Sequence, residues 1–556
     1  MVILGVMGHE NTPCHDGSAA LFEDGRIVTA VEQERVSRNK HAPGEAAGEA
    51  AKECLDRAGL ELSDVDHIAY GWYIDDPNGE EPPGEFMAKG TTFTEEVLPP
   101  SVLDYETPPP IHLVDHHITH LMASVVESGF RDAACLIADG RAETTAITLA
   151  EYDDGEIEVI KRFPIESSLG LFYDAASEYA GLGRHGSGKL MGLSSYGSPS
   201  PKRFFDFDPD TGELETPIAT ENHHDDVRDQ WKEYFEEQCF PYRSGENESV
   251  AYYQDFAATV QSELTSVIRS IVEYLDGATS SDNLILGGGV FLNCVSNQRL
   301  YQLDLFDDLF LYPPANDAGS SVGAIYELCR ALDVEVEPFW RAGSFDPYAG
   351  PRYPEGVDGA LLSEEAVTVE SLTDEELIEQ VATDLANSRV VGWFQGRLEF
   401  GPRALGNRSL LGNPTSRETL YRMNELKGRA RWRPLAPSVL EESFTTVFEG
   451  ACSRQLAKYM TTTATIREEW RSKVPATTHV DGTSRPQIVT EELNERYHAL
   501  ISRFHEKTGV PLVLNTSFNL SGDPIVMTPQ QAVETFRKAE RMDALVVENQ
   551  YVTRSD

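Results

Sequence analysis

Apolar positions in this chain fall into short unbroken runs and into longer stretches of helical spacing, separated by polar turns. Val2-Ile3-Leu4-Gly5-Val6 is too short for a helix and predicts a buried strand. A polar loop with His9, His15, Asp16 and Gly17 follows. Residues 18–22 and 26–31 then flank Asp24-Gly25, which predicts a hairpin. The same order returns after residue 134. Cys135-Leu136-Ile137-Ala138 predicts a strand ending at Asp139-Gly140, and residues 145–150 and 157–160 flank Asp154-Gly155. The unit of strand, Asp-Gly loop, strand, Asp-Gly hairpin, strand thus occurs twice. Such a duplication predicts two related subdomains facing a shared cleft.

Helical spacing runs through residues 44–60, 169–179, 252–275 and 374–387. Residues 75–110, rich in Pro, Gly and Glu, read as loop. Residues 200–250 are acidic and without period, which predicts an irregular surface insertion. Further strands are expected at Asn283-Leu284-Ile285-Leu286, at Val390-Val391-Gly392-Trp393-Phe394 and at Pro511-Leu512-Val513-Leu514-Asn515. The Pro/Gly-rich stretch 341–358 marks the main domain boundary. The domains expected are 1–345, with subdomains of about 1–132 and 133–345, then a linker 346–360 and a second domain 361–556.

Composition changes this picture in one respect. The chain has 556 residues and a formal net charge of -46, with 92 Asp and Glu against 46 Lys and Arg, of which 12 are Lys. An acidic, Lys-poor surface suits hydration in concentrated salt, and its field repels nucleic acid. A hydrophobic content of 40% argues against disorder. The sequence holds neither a run of 18 apolar residues nor a signal-like start, so a soluble, cytoplasmic chain away from membranes is expected. Seven dispersed cysteines without a CxxC pair indicate neither a disulfide framework nor a zinc ribbon.

Candidate chemistry centres on His116-His117-Ile118-Thr119-His120. His116 and His120, four apart, share one face of a helix and can hold a single metal ion. Two polar histidines at a helix start are the plainer reading of a lone HxxxH. Asp139 at a strand end and Asp317 before a helix add carboxylates, and such a donor set suits Fe(II), Mn(II) or Zn(II). Gly287-Gly288-Gly289 after a strand fits either close approach of a nucleotide or a tight turn, with Asn293 just beyond. Gly183 to Lys189 nearly spells a P-loop, but Leu190 stands where Ser or Thr belongs and the preceding segment is helical. That excludes a P-loop NTPase and leaves a glycine-rich turn whose Lys189 reaches a phosphate. From Arg397 through Arg433, nine Lys and Arg, among them Arg403, Arg408 and Lys427, face three acids. In so acidic a chain this compact cluster points to a small phosphorylated ligand. Asn515, Ser517 and Asn519 at a strand end suit ribose or phosphate contacts, or simply a polar turn.

Together these stretches resemble the O-carbamoyltransferase family of nodulation-factor and antibiotic biosynthesis. The resemblance is carried by His15-Asp16, the run from Glu34 to His41, the HxxxH stretch, Gly188-Lys189-Leu190-Met191-Gly192-Leu193, Gly287-Gly288-Gly289-Val290, Asn316-Asp317-Ala318-Gly319, the run from Gly401 to Ser409, and Asn515-Thr516-Ser517-Phe518-Asn519. It implies an α/β fold: a duplicated actin-like ATPase (ribonuclease-H-like) N-terminal domain followed by a YrdC-like α/β domain. It further implies that the C-terminal domain makes carbamoyl-adenylate from ATP, with Mg, and carbamoyl phosphate. The N-terminal domain would pass the carbamoyl group to a hydroxyl of a small-molecule acceptor. His116, His120, Asp139 and Asp317 would bind the metal, Fe(II) being the family's usual ion. Lys427 and Arg433, aided by Arg403, would hold carbamoyl phosphate and the adenylate. The family more often has Glu at the position of Ala430 and an aromatic at that of Arg431. His15 is the candidate base, against a reading in which it contacts substrate without moving a proton. A tRNA-modifying threonylcarbamoyl transferase and a non-enzymatic nucleotide sensor are the competing readings, and a homodimer is left open.

Overall fold

The computed structural model describes residues 1–10, 14–72, 93–219, 224–238, 253–357 and 367–554. Its first sheet contains β1 (Val2–Met7), β2 (Ser18–Glu23), β3 (Arg26–Glu32), β4 (His67–Tyr70) and β5 (Ile111–Leu113), in the order β3-β2-β1-β4-β5. A second contains β6 (Asp132–Ala138), β7 (Thr145–Asp153), β8 (Glu156–Pro164), β9 (Asn283–Gly287) and β10 (Asp308–Leu311), in the order β8-β7-β6-β9-β10. Each sheet begins with three antiparallel strands and adds two parallel ones beside its first strand. Two sheets of one topology are the duplicated architecture expected from the repeated hairpins. Both hairpins turn on left-handed Asp-Gly pairs, with φ of 51° and 87° at Asp24 and Gly25, and 43° and 100° at Asp154 and Gly155.

Between the two sheets lie the helices His116–Ser128 and Ser320–Ala331. The first starts because the Asp115 carboxylate accepts the Ile118 N–H at 3.0 Å, and it stops at Gly129, whose φ is 72°. The two pack closely. A Cβ on Gly323 would lie 1.8 Å from the Thr119 carbonyl oxygen, so this contact requires glycine.

The expected irregular insertion at 200–250 is corrected in part. His224–Glu237 is a helix, and its Val227, Trp231 and Phe235 are fully buried against Phe172, Phe204 and Phe205. Its three core residues recur every fourth position, but the acids between them dominate the composition and hide the period. Within the expected loop at 75–110, Phe93–Val97 is helical; residues 73–92 lie outside the described residues.

From residue 367 a third sheet forms, with strands β11 (Val367–Ser371), β12 (Val391–Phe394), β13 (Arg408–Gly412), β14 (Ala436–Leu440), β15 (Gln487–Val489), β16 (Leu512–Ser517), β17 (Ala544–Val547) and β18 (Gln550–Arg554). Their order is β11-β18-β17-β12-β13-β16-β14-β15, mixed parallel and antiparallel. This part docks on the first two sheets through apolar clusters that both share and through polar contacts. Arg35 donates to the Gly401 carbonyl at 3.0 Å, Arg38 to those of Pro524 and Ile525 at 2.8 and 2.7 Å, and Asn297 to that of Thr461 at 2.8 Å. Two cavities lie along that contact.

Candidate functional site

His116 and His120 stand in the first turns of their helix, Asp139 at the C-terminal end of β6, and Asp317 in the turn after β10. All four are buried, and each offers one ligand atom within 4.8 Å of the others. The two Nε2 atoms face each other at 3.2 Å. Asp139 Oδ2 lies 3.3 Å from His116 Nε2 and 3.4 Å from His120 Nε2, and Asp317 Oδ1 lies 3.7 Å from His116 Nε2. The surroundings orient this set. His116 Nδ1 sits 3.0 Å from the Gly71 carbonyl oxygen, so donation there leaves Nε2 as the lone-pair nitrogen. Asp139 Oδ1 accepts the Gly140 and Gly289 N–H groups at 2.7 and 3.1 Å, which turns Oδ2 toward the imidazoles. Two imidazole nitrogens and two carboxylates converging in a buried centre fit a divalent ion of the Fe(II), Mn(II) or Zn(II) kind. Burial opposes charge on His116, yet without an ion, hydrogen bonds to Asp139 and Asp317 hold it well above the usual histidine range, so a bound ion would take the place of the Nε2 proton. Burial likewise opposes charge on Asp139, and the two imidazoles hold it well below the usual carboxylate range.

The cluster opens onto a cavity of about 380 Å³ lined also by His15, Arg141, Tyr173, Arg184, Gly289 and Asn293. His15 Nδ1 contacts Asp16 Oδ2 at 3.0 Å. Burial works against its charge, but that contact and the nearby Asp317 and Asp139 raise it to about 9. Trp72 packs on the His116 ring at 4.4 Å, and the Arg141 guanidinium lies 5.3 Å from the Trp72 ring.

A second cavity, of about 500 Å³, lies between the N-terminal sheets and the third sheet. Arg35, Lys40, Arg403, Arg429, Arg433 and Arg485 line it. Arg403, Arg429, Arg433 and Arg485 form no ion pair among the described residues. Burial, then the neighbouring guanidiniums, push Arg403 and Arg429 down to about 9. Unpaired cations crowded in a partly buried cavity create a site for a multiply charged anion. The two cavities share a wall that includes Asp16, His41, His185, Asn316 and Arg403. In that wall Asn316 Oδ1 and Arg403 Nε are buried without a hydrogen-bond partner.

The other residues expected from sequence divide into two groups. Asn515, Ser517 and Asn519 line the arginine cavity, as does Arg433. Lys427 does not; its ammonium lies behind the wall and donates to Ser517 Oγ at 3.0 Å and Asn519 Oδ1 at 2.6 Å. Burial, and then Arg429, push it well below the usual lysine range. Arg408 is fully buried, bonded to the carbonyls of Gln395, Gly396 and Asn407, and reaches neither cavity. Lys189 donates to the Leu182 carbonyl at 2.8 Å and also lies outside both linings. Of the three glycines only Gly289 lines a cavity. Gly288, at φ 93°, is needed because a Cβ would meet the Ala138 carbonyl oxygen at 2.3 Å. Sequence reasoning named neither Arg485 nor His185 as site residues. Arg485 has no local signal, whereas His185 stood inside the near-P-loop stretch.

The family described as Carbamoyltransferase N-terminus matches residues 3–81 and 85–326, and that described as Carbamoyltransferase C-terminus matches 382–554. Nodulation protein NolNO of Sinorhizobium fredii (strain NBRC 101917 / NGR234) is 33% identical over 98% of this chain and 82% of its own length. Nodulation protein U of Rhizobium tropici is 28% identical over 91% of this chain and 90% of its own length. Among solved structures, full-length HypF in its phosphate- and nucleotide-bound form overlaps 60% of this chain and 56% of its own, at 13% identity and a TM-score of 0.34.

Proposed function

Because the chain belongs to the carbamoyltransferase family, we propose that it is an ATP-dependent O-carbamoyltransferase with its two chemical steps in the two cavities. The observation that carries this reading is the shared wall: an arginine-lined cavity and a metal-type cavity adjoin through Asp16, His41, His185 and Arg403. The domain division 1–345, 346–360 and 361–556 is part of the proposal.

Carbamoyl-adenylate formation consumes one water: water cleaves carbamoyl phosphate to carbamate and inorganic phosphate, and a carbamate oxygen then attacks the α-phosphate of ATP and displaces pyrophosphate, with Mg as the nucleotide's ion. Arg403, Arg429, Arg433 and Arg485 neutralise those phosphates, and donors placed where charge develops lower the barrier. Lys427 acts from behind by holding Ser517 and Asn519 at the cavity edge. The mixed anhydride then passes the shared wall without meeting bulk water, which protects it from hydrolysis.

In the transfer cavity the neutral form of His15, held by Asp16 and increasingly populated as pH rises toward about 9, takes the proton of the acceptor hydroxyl as its oxygen attacks the carbamoyl carbon. The bond to AMP breaks, and Arg403 in the shared wall meets the leaving phosphate. His116, His120, Asp139 and Asp317 would hold a divalent ion, which would supply Lewis-acid polarisation. The acceptor is a hydroxylated small molecule. Among the described residues no helix is long and apolar enough to cross a membrane.

Incubating the protein with ATP, carbamoyl phosphate and a cell-extract metabolite pool tests the reading. A metabolite gaining the mass of one carbamoyl group is expected, and release of pyrophosphate must depend on carbamoyl phosphate. A protein that releases none with both substrates present is not this enzyme.

A further inference from the structure

The wall between the cavities contains a second imidazole that the mechanism above leaves without a task. Asp16 carries two: His15 Nδ1 on Oδ2 at 3.0 Å and His41 Nδ1 on Oδ1 at 2.8 Å. The backbone closes the same loop, since the Asp16 N–H donates to the His41 carbonyl at 2.6 Å. On its other side the His41 N–H donates to Glu34 Oε2 at 2.7 Å, and Glu34 Oε1 accepts from Arg35. The His185 ring stacks on that of His41 at 4.7 Å and meets His15 edge-on at 5.4 Å. Asp16, His41, Ala42 and His185 all hold left-handed backbone, with φ between 42° and 65°. Non-glycine residues in that region are strained, and strain concentrated in one wall persists only where the surroundings impose it.

We propose that His41 is a positioning residue of the transfer site: it fixes the Asp16 carboxylate, which in turn fixes the tautomer of His15. A carboxylate accepting from one imidazole can still rotate about its own bond. When each oxygen takes one Nδ1–H, rotation breaks both hydrogen bonds. In its neutral form His15 then carries its proton on Nδ1 and leaves Nε2 as the proton acceptor, the logic by which a carboxylate orients a catalytic imidazole. Asp16, Glu34 and His41 also bring ligand atoms within 4.8 Å of one another. Both Glu34 oxygens are already taken by protein donors, so the trio acts as a brace rather than a cation site.

The inference rests on the carbamoyltransferase reading for its kinetic arm, and a spectroscopic arm stands apart from it. In the kinetic arm water is the hydroxyl probe, and no organic acceptor is added. Water attacks the carbamoyl carbon of carbamoyl-adenylate, its proton goes to His15, the bond to AMP breaks and carbamate leaves. AMP formation is compared with carbamoyl-phosphate-dependent exchange of pyrophosphate into ATP, using the full-length protein. His41→Ala should lower the ratio of AMP formation to exchange about tenfold, part of the effect of a general base. His41→Gln, whose amide N–H can donate to Asp16, should restore most of it. In the spectroscopic arm, histidine ring nitrogens are labelled with 15N and read at alkaline pH, where the rings are neutral. The His15 signals are identified by their loss in His15→Gln. A single Nδ1–H tautomer is expected in the parent and in His41→Gln, and a mixture in His41→Ala. If His41→Ala does not fold, His41→Phe takes its place, since it keeps a ring against His185 but has no donor. A single His15 tautomer without the His41 donor, or a Gln variant no better than Ala, overturns the proposal. A parent without exchange or AMP formation defeats the carbamoyltransferase mechanism instead, and the tautomer still decides the role of His41.

Discussion

The two cavities share a wall and differ in the groups each gathers at its centre. Around His116 and Asp139, acceptor atoms converge: two Nε2 atoms 3.2 Å apart with carboxylates beside them. Around Arg429 and Arg433, donors converge without an acid to pair with, and burial has pushed Arg429 down to about 9. Like-charged guanidiniums gathered out of water repel one another, whereas in the cluster protons shared between imidazoles and carboxylates hold the groups together. Under the proposed function the difference assigns a cation to the imidazoles and phosphates to the arginines. It also explains how a chain of charge -46 handles anionic substrates, by concealing its unpaired cations where surface acids cannot reach them.

If this contrast governs function, the steps should separate by cavity, and the largest effects follow. Arg429→Ala with Arg433→Ala should lower pyrophosphate exchange by about 100-fold or more, the scale of losing donors aimed at developing charge. Lys427→Ala should do the same by releasing Ser517 and Asn519. His120→Ala should retain most exchange yet give little carbamoylated product. Equal loss of exchange in the His120 and Lys427 variants would merge the two cavities into one site.

Metal content sharpens the same contrast. His120→Ala should lose metal by more than the about 10–100-fold in affinity that removing an outer hydrogen-bond partner costs. The arginine variants should keep it. Elemental analysis showing the parental stoichiometry in His120→Ala would remove the cluster as a metal site.

Stability should report both ligands. Phosphate or sulfate should raise Tm above chloride at equal ionic strength through the arginine cavity. Binding at about 100 times Kd is worth about 2.7 kcal/mol. Chelation should lower Tm through the cluster. Beneath both lies a general gain from low to molar KCl, as salt screens the acidic surface. An unchanged Tm across that range would contradict adaptation to high salt.

A pH effect comes from the far end of the metal-bearing helix, away from both cavities. Burial raises Glu127 from 4.5 to about 7, despite its bonds from the Tyr326 hydroxyl and the Phe339 N–H. Its folded value lies above the unfolded one. Its contribution is therefore full below about pH 4.5 and is lost as pH rises through about 7. The loss is about 3 kcal/mol, and it should vanish in Glu127→Gln. Urea unfolding at pH 5 and pH 8 in parent and variant measures it. A parent no more pH-sensitive than Glu127→Gln would show that this carboxyl is solvated.

By itself the sequence determined what local rules can determine. The Asp-Gly turns required left-handed backbone at residues 24–25 and 154–155, and that fixed both hairpins and their repetition. Asp115 and Gly129 set the ends of the helix that carries His116 and His120, so their shared face followed from period alone. The excess of nine Lys and Arg over three acids from Arg397 to Arg433 made a candidate anion site legible from charge. Tertiary structure decided which members of that run face the cavity. Arg403, Arg429 and Arg433 do, whereas Arg408 turns inward to backbone carbonyls and Lys427 stands behind the wall. It also brought in Arg485, far along the chain and without a motif, and set His41 opposite His15 across one carboxylate. The acids of residues 200–250 obscured the period of Val227, Trp231 and Phe235, which became visible only against the aromatic core they fill. Turns and caps are decided by a residue and its immediate neighbours. Whether a long cation reaches a ligand or a carbonyl depends on groups that only packing brings within hydrogen-bond reach.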